Sequence, residues 1–332
     1  MVSRNAYQNL PSFRYRDLTS PNEIRLLEIS TNKTGKVKLD LKHHLLLGSC
    51  PSFVAVSYRW GDLSSNPIAL GGRALCAQIT IVHLITQLAK MPSPSYQQTG
   101  PRYFWIDSLC INQSSRLNDR ELQHQIPLMK QIYSRADHVI AWLGNSSLVE
   151  AGIIENAAED NISRSYAWSE LSKQTKRGIE IICGKAIWRR IWVIQEIVLA
   201  KGIVIMWGPT SMQWNELCRA MWSYKIYADR NGKKFYNSVF HYLWKIETAR
   251  REAWMRQSLG YPLSLKLEDL LIFFMGEWEA TRAHDRVYGL LGLAEEKIDV
   301  DYNQSLAKLF RAVRPYLKDP AAIDLVWNEL CR

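Results

Sequence analysis

Short apolar runs alternate with stretches of helical period between residues 53 and 208. FVAVSYRW (Phe53–Trp60) is apolar, rich in β-formers and stopped by Gly61-Asp62, which predicts a buried strand. Gly71-Gly72 within ALGGRAL predicts a hairpin turn. Ile81, Leu84, Ile85 and Leu88 then recur at i, i+3, i+4 and i+7, the spacing of an amphipathic helix over Ile79–Ala89. A Pro/Ser/Gln-rich loop (Met91–Pro101) leads to RYFWID, a second strand ending at Asp107. Leu122, Ile126, Met129 and Tyr133 hold helical spacing over Glu121–Ala136, where Pro127 marks either a start or a kink. His138–Gly144 and Gly202–Gly208 predict a third and a fourth strand, with a polar stretch and a helix over Ala186–Ala200 between them.

Strands alternating with helices predict an α/β fold, a parallel sheet flanked by helices through right-handed crossovers. In such sheets ligands bind beyond the carboxyl ends of the strands. The residues to watch are therefore Arg59, Trp60 and Asp62 after the first strand, and Asp107, Cys110, Asn112 and Gln113 after the second. From Met212 to Gly276 the pattern becomes aromatic, basic and mainly helical, and His284–Ala294 predicts one more buried helix. The expected division is an α/β core with its lead-in over residues 1–210 and a helical extension or cap over 211–332.

One carboxylate stands out. On a helical wheel Ile187, Ile191, Ile194 and Val198 share a face expected to lie on the sheet, and Glu196 falls opposite, one turn from Trp192. A Glu beside a Trp in a partly desolvated pocket acquires a raised pKa, as catalytic carboxylates do. The alternative is a surface Glu on an amphipathic helix.

Composition narrows the classes. Of 332 residues 47% are apolar and 22% charged, which excludes wholesale disorder. The formal charge of +10 favours anionic partners. Basic clusters such as Trp188-Arg189-Arg190 and Arg250–Arg256 are scattered, however, and scattered clusters are usually solvated surface, so nucleic acid is not the expected partner. The six cysteines show no paired spacing and are expected to be free thiols in a reducing compartment. No run suits a signal peptide or a membrane span, so a cytoplasmic location is expected. No metal motif, phosphate loop or nucleophile-elbow glycine pattern occurs, so no metal and no bound cofactor are expected.

VAVSYRWGD (54–62), FWIDSLCINQ (104–113), QIYSRADHVIAWLG (131–144) with Gln125 and Met129 before it, WRRIWVIQEIVLA (188–200) and DRVYGLLGL (285–293) together resemble the fungal heterokaryon-incompatibility (HET) domain. EIRLLEI (23–29) is similar to its lead-in and VDYNQS (300–305) to its trailing segment, so the resemblance covers residues 15–305. The HET domain is in turn regarded as a distant relative of TIR domains. WRRIWVIQEI is similar to the TIR Ser-x-Trp-Cys-x-x-Glu-Leu stretch, although Val193 stands where TIR has Cys and Asp107 leads into an unusual LCINQ loop. The resemblance implies a TIR/flavodoxin-like sheet, programmed cell death, and NAD cleavage with NAD as substrate and Glu196 as the catalytic carboxylate. For that chemistry Trp60 or Trp192 is expected to stack on a base and Arg59 or nearby backbone N–H groups to hold the pyrophosphate, with Asp62, Asp107, Cys110 and Asn112 also near the substrate; the alternatives are Trp60 as core and Arg59 as a structural partner of Asp107. Activation is expected to involve self-association, with room for a regulatory partner protein. The alternative is a non-enzymatic signalling module that kills by recruiting partners.

Overall fold

The computed structural model describes residues 10–31, 36–61, 67–91, 101–113, 119–147, 152, 167–235 and 238–332. Its centre is a seven-stranded sheet built from β1 (Glu23–Thr31), β2 (Val37–Leu45), β3 (Val54–Tyr58), β6 (Arg102–Trp105), β7 (Val139–Trp142), β8 (Ile203–Trp207) and β9 (Thr210–Gln213), in the order β2-β1-β6-β3-β7-β8-β9. A separate two-stranded hairpin joins β4 (Ile68–Leu70) to β5 (Arg73–Leu75). Gly71 and Gly72 make its turn with φ of 58° and 75°, conformations that glycine adopts at little steric cost.

The expected parallel sheet is corrected to a mixed one. β6, β3, β7 and β8 run parallel, as the four predicted strands do. β1 and β2 add an antiparallel pair at one edge and β9 an antiparallel strand at the other. EIRLLEI carries Glu23 and Arg25 on a strand buried almost throughout, so its charges mask the apolar alternation.

The two faces of the sheet are covered differently. Val56, Tyr58, Phe104, Ile106, Ile140 and Trp142 face α1 (Ile79–Lys90), whose buried residues are Ile81, Leu84, Ile85 and Leu88. Ala55, Trp105, Val139, Ala141 and Ile205 face the other way, toward the rest of the helices. These include α2 (Asp107–Cys110), α3 (Asp119–Gln125), α4 (Met129–Arg135), α5 (Lys173–Cys183) and α6 (Ile191–Val198). The C-terminal helices α7 (Trp214–Arg230), α8 (His241–Ser258), α9 (Leu267–Phe274), α10 (Asp285–Leu291), α11 (Leu306–Val313) and α12 (Pro320–Cys331) join the same apolar cluster. The chain passes residue 210 inside the β8–β9 hairpin, and both sides of that point share this core. Among the described residues no helix is long and apolar enough to cross a membrane.

Two predicted helices are interrupted. Pro127 has no N–H to give to residue 123, so the 121–136 segment tightens into a 3-10 turn at Ile126–Leu128 between α3 and α4. Arg190 is extended (φ −75°, ψ 132°) and divides the expected Ala186–Ala200 helix into a 3-10 turn, Ala186–Arg189, and α6. A strand-like bridge holds the break open, with the Ile191 N–H donating to Glu279 O (3.0 Å) and the Glu279 N–H to Arg189 O (2.6 Å).

Candidate active site

The break at Arg190 sets the orientation of α6 and overturns the wheel. The helix is apolar almost all round and is enclosed by its neighbours. Ile191 lies under α10, where a Cβ on Gly289 would stand 3.1 Å from both Ile191 γ-carbons, so only glycine lets the two helices approach this closely. Glu196 is therefore not an open surface group. It is 2% exposed and turned toward β3, where the Ser57 hydroxyl donates to its Oε2 at 2.5 Å. Val56 packs on the α1 side, while Ala55 lies in the cluster on the α6 side and Ser57 points to Glu196.

Glu196 opens on a cleft of about 520 Å³, within the size range of small-molecule sites. The cleft brings together Arg59, Trp60, Asp107, Trp192 and Glu196. Trp60 is 42% exposed and its indole N–H donates to Asp107 Oδ2 (2.9 Å). Arg59 pairs across the cleft with Glu279 (3.6 Å), so Arg59 and Asp107 line the same cleft without pairing with each other.

Two candidates do not reach the cleft. Cys110 is wholly buried: its Sγ accepts from the Ile106 N–H (3.4 Å) and donates to Phe104 O (3.8 Å). Burial pushes this thiol up to about 12, so it is a packed, inert group. Asn112 gives its backbone N–H to Glu121 (2.8 Å), and Gln113 lines the cleft in its stead. Asp62 lies outside the described residues.

Burial raises the Glu196 carboxyl to about 7; the Arg190 guanidinium and the Ser57 hydroxyl oppose that rise, while Asp107 adds to it. Arg190 also donates to Tyr58 O at the end of β3. Neither Arg190 nor Ser57 was expected as a site residue, although both lie inside the motifs quoted above. The far wall is equally new: Glu279, Arg282, Asp285 and Tyr302. Asp285 is buried, accepts from the Tyr302 hydroxyl (2.7 Å) and the Arg282 N–H (2.9 Å), and Arg282 lies 4.6 Å over the Tyr302 ring. Asp285 and Tyr302 lie inside the DRVYGLLGL and VDYNQS segments quoted above, whereas Glu279 and Arg282 lie in none of the quoted segments. Among the described residues no cluster of His, Cys, Asp or Glu is suited to a metal ion.

The fold and cleft thus define an α/β protein with a cleft of small-molecule size at the carboxyl edge of its sheet, beside a buried carboxylate. Residues 53–196 match the family described as Heterokaryon incompatibility protein (HET). The chain is also similar to "Heterokaryon incompatibility protein 6, OR allele" of Neurospora crassa, at 27% identity over 321 residues covering 78% of this chain and 46% of the relative. The chain therefore spans about half the length of that relative. No solved structure matches. The family match ends at Glu196, so the far wall of the cleft lies beyond it.

Proposed function

We propose that this chain acts in heterokaryon-incompatibility cell death by cleaving the nicotinamide–ribose bond of NAD after self-association, with Glu196 as the catalytic carboxylate. The relative's name supports the cell-death role. The observation that carries the chemistry is Glu196 itself, a buried carboxylate raised to about 7 that opens on a cleft lined by Arg59, Arg190, Arg282, Trp60 and Trp192. Topology supports the TIR-like reading. Numbered among themselves in chain order, the parallel strands lie 2-1-3-4, the beginning of the flavodoxin-like order.

The chemistry follows from the substrate's charge. The C1′–N bond breaks with its electron pair going to the pyridinium nitrogen, so nicotinamide leaves neutral and needs no acid. The ribosyl oxocarbenium left behind is stabilised by the Glu196 carboxylate. Water then adds to C1′ and gives its proton to Glu196, which passes it to solvent. Ser57 holds one carboxylate oxygen and leaves the other for the ribose. Trp60 and Trp192 offer stacking faces, and Arg59 and Arg282 offer charge for the pyrophosphate. The cationic ring of the substrate favours the ionised carboxylate, so binding itself draws Glu196 into its working form.

The test is NAD loss followed at rising protein concentration for wild type and Glu196→Gln. Wild type should consume NAD slowly and more than in proportion to its concentration, and the variant about 10²–10³-fold more slowly. Equal consumption by both removes Glu196 from catalysis. Should neither consume NAD when concentrated or tethered, the partner-recruiting reading takes its place.

A further inference from the structure

A second cavity of about 320 Å³ lies on the β1–β2 side of the molecule and shares no lining residue with the cleft. Arg14, Arg16, Arg25, Lys42 and His43 line it, and no acidic residue does. The carboxylates that balance these cations are not among its lining residues. Glu23 meets Arg16 (3.6 Å) and His43 (2.7 Å), Asp40 meets Lys42 (2.7 Å), and Glu121 meets Arg25 (2.6 Å). Arg14 is exposed and makes no ion pair among the described residues.

Arg25 distinguishes this cavity from a patch of surface arginines. It is 1% exposed, and its two terminal nitrogens are committed to Cys110 O, Arg16 O and Glu121. Its Nε is buried and makes no hydrogen bond. Tyr15 lies 5.1 Å from the guanidinium and makes an edge contact with Phe13 (5.1 Å between centroids), so two rings border the cationic group. Cations for a phosphate beside aromatic faces for a planar ring form a recurrent chemistry of nucleotide recognition.

We infer that this cavity, formed where the 13–16 segment meets β1 and β2, is a second ligand site for a small nucleotide monophosphate, separate from the Glu196 cleft. The inference does not rest on NAD cleavage. Arg25 connects the site to the cleft, because the Cys110 carbonyl and the Glu121 carboxylate that it holds precede Ile111 and Leu122, both cleft-lining residues.

The experiment is calorimetric titration of the whole chain with AMP, repeated for Arg14→Ser/Lys42→Ser, whose side chains are solvent-accessible, and for Arg59→Ser in the cleft. Equal melting temperatures would show that the variants fold. AMP should bind wild type and Arg59→Ser alike, and the double variant tenfold or more weakly. Inorganic pyrophosphate should compete, and affinity should fall as salt is added. AMP binding that survives in the double variant but is lost in Arg59→Ser would put the nucleotide in the cleft and overturn the inference. So would the absence of heat at millimolar AMP. Capture on vesicles containing a phosphatidylinositol phosphate, with no response to AMP, would make the cavity a lipid-headgroup site and likewise overturn it.

Discussion

Replacing Glu196 by Gln should stabilise the protein while slowing the proposed NAD cleavage. Burial lifts this carboxyl to about 7 against 4.5 for the ordinary group. Between those values the folded chain holds a proton that the unfolded chain has released, so stability falls as pH rises from about 4.5 and the loss is complete above about 7. At 1.36 kcal/mol per unit the full penalty is about 3 kcal/mol. Gln keeps the shape and still accepts from the Ser57 hydroxyl, but it has no proton to lose. The stability gained by the variant should therefore grow from about 1 kcal/mol at pH 5 to about 3 kcal/mol at pH 8. Urea unfolding of both proteins at the two pH values measures this increment, and groups common to both cancel. A variant whose difference from wild type does not change with pH, or reverses sign, would refute the reading of Glu196 as a buried, desolvated acid.

Other consequences are open to direct measurement. Arg190 opposes the rise of the Glu196 carboxyl, so Arg190→Gln should move the acid limb of kcat/KM for NAD to higher pH, where wild type rises through about 7; an unmoved limb separates Arg190 from Glu196. Gly289→Ala should destabilise by about 1–3 kcal/mol because its Cβ would stand 3.1 Å from two carbons of buried Ile191, and a stabilised variant in thermal unfolding would show the packing to be looser than described. Native thiol titration should find the exposed Cys76 and Cys331 fast and the buried Cys110, Cys183 and Cys218 slow, with all six reacting after denaturation; fewer than six would mean a disulfide or a modification.

Strand and helix periods were legible wherever one physical cause dominated. The four parallel strands are mostly apolar, and α1 shows its buried stripe at the predicted positions because it packs on one face alone. The mistakes arose where tertiary contacts override local pattern. A wheel drawn across Arg190 assumes a continuous helix, and the backbone bridge from Arg190 to Glu279, far along the chain, breaks it and re-aims Glu196 toward Ser57. β1 was hidden by Glu23 and Arg25, whose burial depends on partners at Thr19, His43 and Glu121. Cys110 sits beside a site strand in sequence, yet the short helix after Ile106 turns its thiol back onto Phe104 and Ile106. No periodicity reports such a reversal.

The cost carried by Glu196 also accounts for the dependence of its helix on residues outside the family match. α6 is eight residues long, too short to be stable by itself in water. Its first N–H is taken by Glu279 O, and Gly289 lets α10 close over Ile191. At the other end the Arg250 guanidinium donates to the carbonyls of Ile197, Val198 and Ala200, and the Trp254 indole donates to Val198 O. A cation there satisfies carbonyls that the helix end leaves open and complements the helix dipole. Both ends of the element that carries Glu196 are thus held by the C-terminal half of the chain. Residues 53–196 alone would expose Ile191 and Ile194, both buried in the whole chain, and would lose the far wall of the cleft together with Asp285 and Tyr302. The side chains that act on the Glu196 carboxyl, Arg190, Ser57 and Asp107, lie within the family match, while the helices that hold both ends of α6 lie beyond it, so the carboxylate and its enclosure are one physical unit.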